Sequence, residues 1–396
     1  MKVWVAFRSH AVIIAVLVLA LLIGSPAQAD NKDSLIPSLK LLYEWFFGPR
    51  ILHVRALAEE GGDGSAERPF IRISDGVRRL RPGSRLIVHE GVYEETVRLT
   101  ASGLPHLPIV IEGRGAVIDD TSLDPYKPAF DIRGRSHIIL RGFTVLRSRA
   151  GVQISEGSRG ITVENLKAWR CHFAVKIKNS SEVNLRNCRA YLCRNGFRGE
   201  GISKKITLER CAGFMSRDVY KNMDPNYLNG DAFIFEKRIS DLTIRNSAGV
   251  KNWDSGFDIK SSGALLENVV AYGNKNGLKL WGEHITVLNA LVYGSVSQKN
   301  DKGRVDGMGV NVRRGSAEIR NSIFAENEAE DIKVGSDGSL FLIHSTVARR
   351  SKEGKLLGHY GYFKEDDVRW YQAGVTGSDP DFVDWDGADF RPRVTA

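Results

Sequence analysis

One short unit recurs along this chain at a spacing of about 22 residues, in nine stretches. Its clearest marker is an asparagine behind an apolar residue: Asn165 and Asn187 are 22 residues apart, as are Asn246 and Asn268, and Asn289 follows 21 later. A fixed period of this size describes one supersecondary unit that buries its apolar face only against its neighbours. The unit has short period-2 apolar runs, many Gly and Asn, and no helical pattern of ten residues. That predicts one coil of a β-helix per repeat. The expected fold is all-β: a single-stranded right-handed parallel β-helix of about 9–10 coils with a short N-terminal helical cap. The 396 residues would otherwise suggest two domains, but a solenoid grows without splitting. Gly is frequent, at 40 residues, as tight corners require.

Four segments are expected. Residues 1–29 read as a secretory signal peptide: Lys2 and Arg8, an apolar run from Ala11 to Ile23, then Ala27 and Ala29 at cleavage spacing before Asp30. The run is short of the ~20 residues a bilayer span needs, so no stable membrane insertion is expected after cleavage; the alternative is an uncleaved anchor. Residues 30–128 hold the cap and first coils, with helical patterns at Leu39–Phe47 and Ile73–Leu80. Regular coils occupy 129–350, interrupted by insertions at 216–229 and 298–306. Residues 351–396 form a C-terminal cap. The protein is expected to be secreted or periplasmic, and monomeric.

Export gives meaning to the four cysteines. Cys171 and Cys193 are 22 apart, and Cys188 and Cys211 are 23 apart, so each pair shares a position in adjacent coils. At ~4.8 Å between parallel strands, either pair is close enough for a disulfide. The alternative is a ladder of buried thiols. The formal charge of +9 comes without a basic tail or an aromatic-rich basic patch. For an exported protein it favours an acidic polysaccharide partner over nucleic acid.

Asp231, Asp254, Asp258 and Lys279 concentrate the chemistry. Asp258 and Lys279 are 21 apart, in one outward slot of adjacent coils, and Asp231 and Asp254 are 23 apart, at the preceding corners. Stacking would gather all four on one face within about 5–12 Å. Three carboxylates make a hard oxygen site suited to Ca²⁺. A lysine beside a cation loses its proton more readily and can then take one from the carbon next to a carboxylate. The cation would stabilise the charge that develops. The alternative is a surface ion-pair column of little energetic value, since Gln153, Lys176 and Arg198 share the slot. Arg198, Arg313 and Arg314 could bind substrate carboxylates. Trp253 and Trp281 could stack on sugar rings. The nine histidines show no pair at metal spacing.

Three coil segments, Asn229 to Phe233, Asn252 to Ile259 and Asn276 to Leu280, resemble the active-site coils of the polysaccharide lyase family 9 pectate lyases. The resemblance implies that Asp231, Asp254 and Asp258 bind calcium and that Lys279 is the Brønsted base. Ser255 stands where that family has a second adjacent Asp, and Ala232 replaces a Gly. The implied activity is calcium-assisted β-elimination on a uronic-acid polymer. A uronate C5-epimerase and a non-catalytic polysaccharide-binding or envelope β-helix are the alternatives.

Overall fold

The structure, a computed structural model, describes residues 50–119, 127–217, 230–297 and 307–350, with short strands at 356–357, 372–373, 382–384 and 389–392. The signal segment, the Leu39–Phe47 pattern, residues 218–229 and 298–306 of the two insertions, and most of the C-terminal segment lie outside the described residues. The rest is a right-handed parallel β-helix of about 10 turns, as the repeat implies.

Each coil contributes a strand to each of three faces. The first face stacks Pro128–Arg133, Ala150–Ser155, Phe173–Lys178, Asn195–Glu200, Phe233–Phe235, Ser255–Ile259, Asn276–Leu280 and the start of Met308–Arg320. All of these pair in parallel with their neighbours. The second face runs from Ile51–Val54 through Ser181–Arg186 and Ile239–Arg245. The third is built of three-residue strands such as Lys167–Trp169, Arg189–Tyr191 and Val270–Tyr272.

Period-2 alternation sends one set of side chains into the coil, where the next coil continues the column. Val152, Val175, Phe197, Phe233, Phe257, Leu278 and Val310 form one such column, all fully buried. Within it Phe197 and Phe233 stack at 5.1 Å and Phe233 and Phe257 at 4.6 Å. The coil is narrow where the first and third faces meet, which explains the small residue at each coil start. A Cβ on Gly277 would fall 2.3 Å from Val292 Cγ1 and 2.5 Å from Gly309 O.

The marker asparagines serve the corners. Asn165, Asn187, Asn246, Asn268, Asn289 and Asn321 all have φ between 48° and 55°, the left-handed region that Asn tolerates. Asn268 Nδ2 donates to Asn246 Oδ1, and Asn289 Nδ2 to Asn268 Oδ1, each at 3.0 Å.

The N-terminal end is closed. A short helix, Ile73–Val77, buries Ile73, Gly76 and Val77. The Glu95 carboxylate accepts from the Ile73 and Ser74 amides at 2.6 and 3.0 Å, doing the work of an N-cap side chain. The free edge of Ile51–Val54 is covered by the segment reaching Phe70: His53 N donates to Gly64 O, and Phe70 N to His53 O, both at 2.9 Å. An edge so covered does not recruit further strands.

Of the two states that the cysteine spacing leaves open, disulfide or buried thiol, the structure has the second. Cys171, Cys188, Cys193 and Cys211 are free, buried thiols. Each points into the coil and is satisfied by backbone: Cys193 Sγ donates towards Ala168 O at 3.7 Å, and Cys211 Sγ towards Leu185 O at 3.6 Å. Burial pushes the Cys193 and Cys211 thiols well above their ordinary pKa.

Candidate functional site

Strand register makes one outward column on the first face: Asp131, Gln153, Lys176, Arg198, Ile234, Asp258, Lys279, Asn311 and Lys333. Asp258 and Lys279 are register partners, as their spacing implies. Asp231 and Asp254 stand at the corners that open the strands beside them. All three aspartates act on Lys279 electrostatically.

The closest contact is between Lys279 and Asp254: Nζ lies 2.5 Å from Oδ1, with the two side chains only 13% and 17% exposed. Asn276 Nδ2 donates to the same oxygen at 3.2 Å, and Ser255 Oγ at 3.4 Å. Asp231 is fully buried. Its Oδ1 accepts the Ser255 amide at 2.9 Å, and its Oδ2 faces Asn195 Nδ2 at 3.4 Å. Asp258 Oδ2 pairs with Lys260 Nζ at 3.2 Å, whereas its Oδ1 is buried without a hydrogen-bond partner among the described residues. Lys260 also reaches Glu236 Oε1 at 3.3 Å.

Burial and neighbouring charge set the protonation states. Burial, with the Asp254 and Asp258 charges added, pushes the Asp231 carboxyl well above the usual carboxylate range. Burial also raises Asp258, against the pull of Lys279 and Lys260. At Asp254 burial is outweighed by Lys279, and the carboxyl stays below its ordinary value. Burial alone would lower Lys279, but Asp254, Asp231 and Asp258 overcome it and raise its pKa. These directions describe an ammonium on Lys279 paired with the Asp254 carboxylate.

A calcium cage requires oxygens converging on one point. Among the described residues no three His, Cys, Asp or Glu side chains are grouped to hold a metal ion. Asp254 is engaged by Lys279, Asp258 by Lys260, and Asp231 by backbone and Asn195. Ser255, in place of an acid, contributes its amide to Asp231 and its hydroxyl to Asp254. The side chains as arranged do not fit a calcium site.

The remaining sequence candidates separate. Arg198 lies two rows from Asp258 and is neutralised by Glu200 at 3.0 Å and Glu236 at 3.8 Å. Trp253 is partly exposed at the corner before Asp254, its amide donating to Ser216 O. Trp281 follows Lys279 by two residues and carries the Arg313 and Arg314 guanidinium groups over its ring. Sequence reasoning missed Lys260, Asn276, Asn195 and Glu236. Lys260 has the same outward parity as Asp258, which is the one signal the sequence offers.

No protein family and no curated protein matches this chain. Solved structures do. An alginate lyase from Paenibacillus sp. str. FPU-7 is 13% identical with a TM-score of 0.52, over 75% of this chain and 99% of the lyase. A mutant of the periplasmic alginate epimerase AlgG is 12% identical with a TM-score of 0.50, over 78% of this chain and 84% of the epimerase. The pectate lyase Pel9A is 16% identical at a TM-score of 0.47, over 85% of this chain and 84% of Pel9A. At such identities the likeness is one of fold. Among the described residues, no helix is long and apolar enough to cross a membrane.

Proposed function

We propose that this protein is an exported lyase that cleaves a uronic-acid polymer by β-elimination, with Lys279 as the base and Asp254 as its proton partner. The observation that carries the reading is the buried 2.5 Å contact between Lys279 Nζ and Asp254 Oδ1 on the outward face. The likeness in fold to an alginate lyase supports it.

The chemistry closes on these two side chains. Across the short contact Nζ passes a proton to Asp254, which leaves a transient neutral pair. The amine then takes the proton from C5 of the uronate. The released electron pair forms the C4–C5 double bond, and the C4–oxygen bond of the glycosidic link breaks. Asp254 returns its proton to the departing oxygen, so the ammonium and carboxylate are restored. The step is written on Lys279 and Asp254 alone, with Asp254 held by Lys279 and Asp258 Oδ2 by Lys260. Calcium dependence would mean that these side chains rearrange around the ion.

The test is incubation with polygalacturonate, alginate and glycosaminoglycan, followed by ultraviolet absorbance of the unsaturated product. Wild-type protein produces it on at least one polymer and Lys279→Ala does not. A protein inert on the whole panel sinks the lyase reading. Likeness to an alginate epimerase favours C5 epimerisation as the second reading, since it begins with the same proton abstraction. Inversion of the C5 proton signal without chain shortening would select it.

A further inference from the structure

The outward row next to the Lys279 column ends in an unusual group. Lys279 is the register partner of Asn311. Trp281 and Arg313 lie two residues further along the two chains, about 7 Å away at ~3.3 Å per residue. A register shift falls between Val312 and Arg314. The extra residue lies on the neighbouring strand, where Val334 and Asp337 pair with Val312 and Arg314; at this irregular step Arg313 and Arg314 are both exposed. Both lie over the same ring, with Arg313 Cζ 5.8 Å and Arg314 Cζ 5.3 Å from the Trp281 centroid.

The cations elsewhere on this face are paired. Lys176 has Glu200 at 3.1 Å, Lys260 has Asp258 at 3.2 Å, and Lys333 has Glu330 at 3.3 Å. Neither Arg313 nor Arg314 has a carboxylate within ion-pair distance among the described residues. The indole Nε1 of Trp281 is also buried without an acceptor among the described residues. Stacking on an indole holds a guanidinium flat and leaves its N–H edge free for a carboxylate fork.

We infer that Arg313, Arg314 and Trp281 form a carboxylate subsite beside Lys279. It takes the carboxylate of a uronate residue neighbouring the one that reacts. This rests on the uronic-acid reading of the Lys279 site and adds a selectivity: the subsite requires a free carboxylate and rejects its methyl ester. Arg198, its charge already met by Glu200 and Glu236, does not perform this role.

The experiment measures binding without turnover. Full-length Lys279→Ala protein is titrated with polygalacturonate, alginate and their methyl esters, with and without the added changes Arg313→Ala and Arg314→Ala. Loss of a bidentate charged contact weakens binding of an unesterified polymer by about 10- to 100-fold. Binding of the methyl ester stays unchanged. Arg313→Lys with Arg314→Lys keeps the charge but loses the fork, and gives an intermediate loss. Thermal melts check that each variant is folded. Equal affinity with and without the two arginines overturns the subsite, as does binding that ignores esterification. A wild type that cuts no polymer, combined with arginine-dependent binding, removes the base assignment and leaves the subsite standing.

Discussion

Lys279 and Asp254, 25 residues apart along the chain, meet across adjacent coils at 2.5 Å with Asn276 bonded to the same carboxylate oxygen. The pair is buried beneath an outward face on which Lys176, Lys260 and Lys333 are also matched to acids. It is a preformed proton-transfer couple, and removing either half has a distinct consequence. Lys279→Ala lowers kcat by about 10²–10⁴-fold, the usual contribution of a positioned base. Asp254→Asn leaves the amine in place but takes away the group that accepts its proton, so kcat falls while KM changes little. Initial rates of ultraviolet-absorbing product measure both. An Asp254→Asn enzyme at full kcat would contradict the relay.

Metal dependence follows from the same contacts. With Asp254 engaged by Lys279 and Asp258 by Lys260, the acids have their counter-charges already. Product formation is expected to continue in excess chelator, and added calcium should not raise it. Activity that vanishes with chelator and returns with calcium would require Lys279 to leave Asp254 when the ion binds.

The 22-residue spacing made the fold legible because a solenoid turns sequence period directly into vertical neighbourhood. The same spacing placed Asp258 beside Lys279, and their register confirms it. Partner choice was less legible. Lys260 reaches back to Asp258 in its own strand and to Glu236 in the coil before, and no period in the sequence states that. The cysteine spacing correctly stacked the residues but could not distinguish a bond from two thiols satisfied by carbonyl oxygens. The resemblance supplied roles for the aspartates, whereas their hydrogen bonds in this chain depend on Ser255, Asn276 and Asn195.

The phenylalanine column under the site offers a stability test. Phe233 lies between Phe197 and Phe257, fully buried, with ring faces within 23° and 4° of parallel. Phe233→Ala opens a cavity and costs about 3–5 kcal/mol. Phe233→Leu keeps most of the volume and costs less. Because the Phe233 row lies directly under Ile234 and next to Asp258, the Ala variant should also lose activity through displaced register. Denaturant unfolding followed by circular dichroism measures the difference. An unchanged midpoint for Phe233→Ala would show that the ring column is not a source of cohesion.

The thiols give a direct check on the cysteine state. Cys171, Cys188, Cys193 and Cys211 are buried, and burial raises the two that lie in the later coil of each pair. Reaction requires the thiolate and access, and both are denied in the native fold. A chromogenic thiol reagent should find no reactive group in native protein and four in denaturant without reductant. Two missing thiols per bridge in the denatured sample would establish disulfides instead.

Acid stability depends on Glu112. Its carboxylate lies between Arg85, Arg114 and Arg141, with Arg114 Nε at 2.7 Å and Arg141 Nη2 at 2.6 Å. Burial pushes this carboxyl up, but the three guanidinium hydrogen bonds outweigh it and hold its pKa at about 2, against 4.5 for a free glutamate. A depressed carboxyl contributes stability that is complete above its unfolded value and is lost as pH falls through its folded value. The contribution is therefore whole above about pH 4.5 and disappears towards pH 2. Glu112→Gln should lower the melting temperature at neutral pH and narrow its gap to wild type as pH falls through that window. Salt should shrink the neutral-pH gap, because the arginines are partly exposed. Melts from pH 7 to 2 test this; a gap that stays constant to the lowest pH would place the stabilisation in packing rather than in charge.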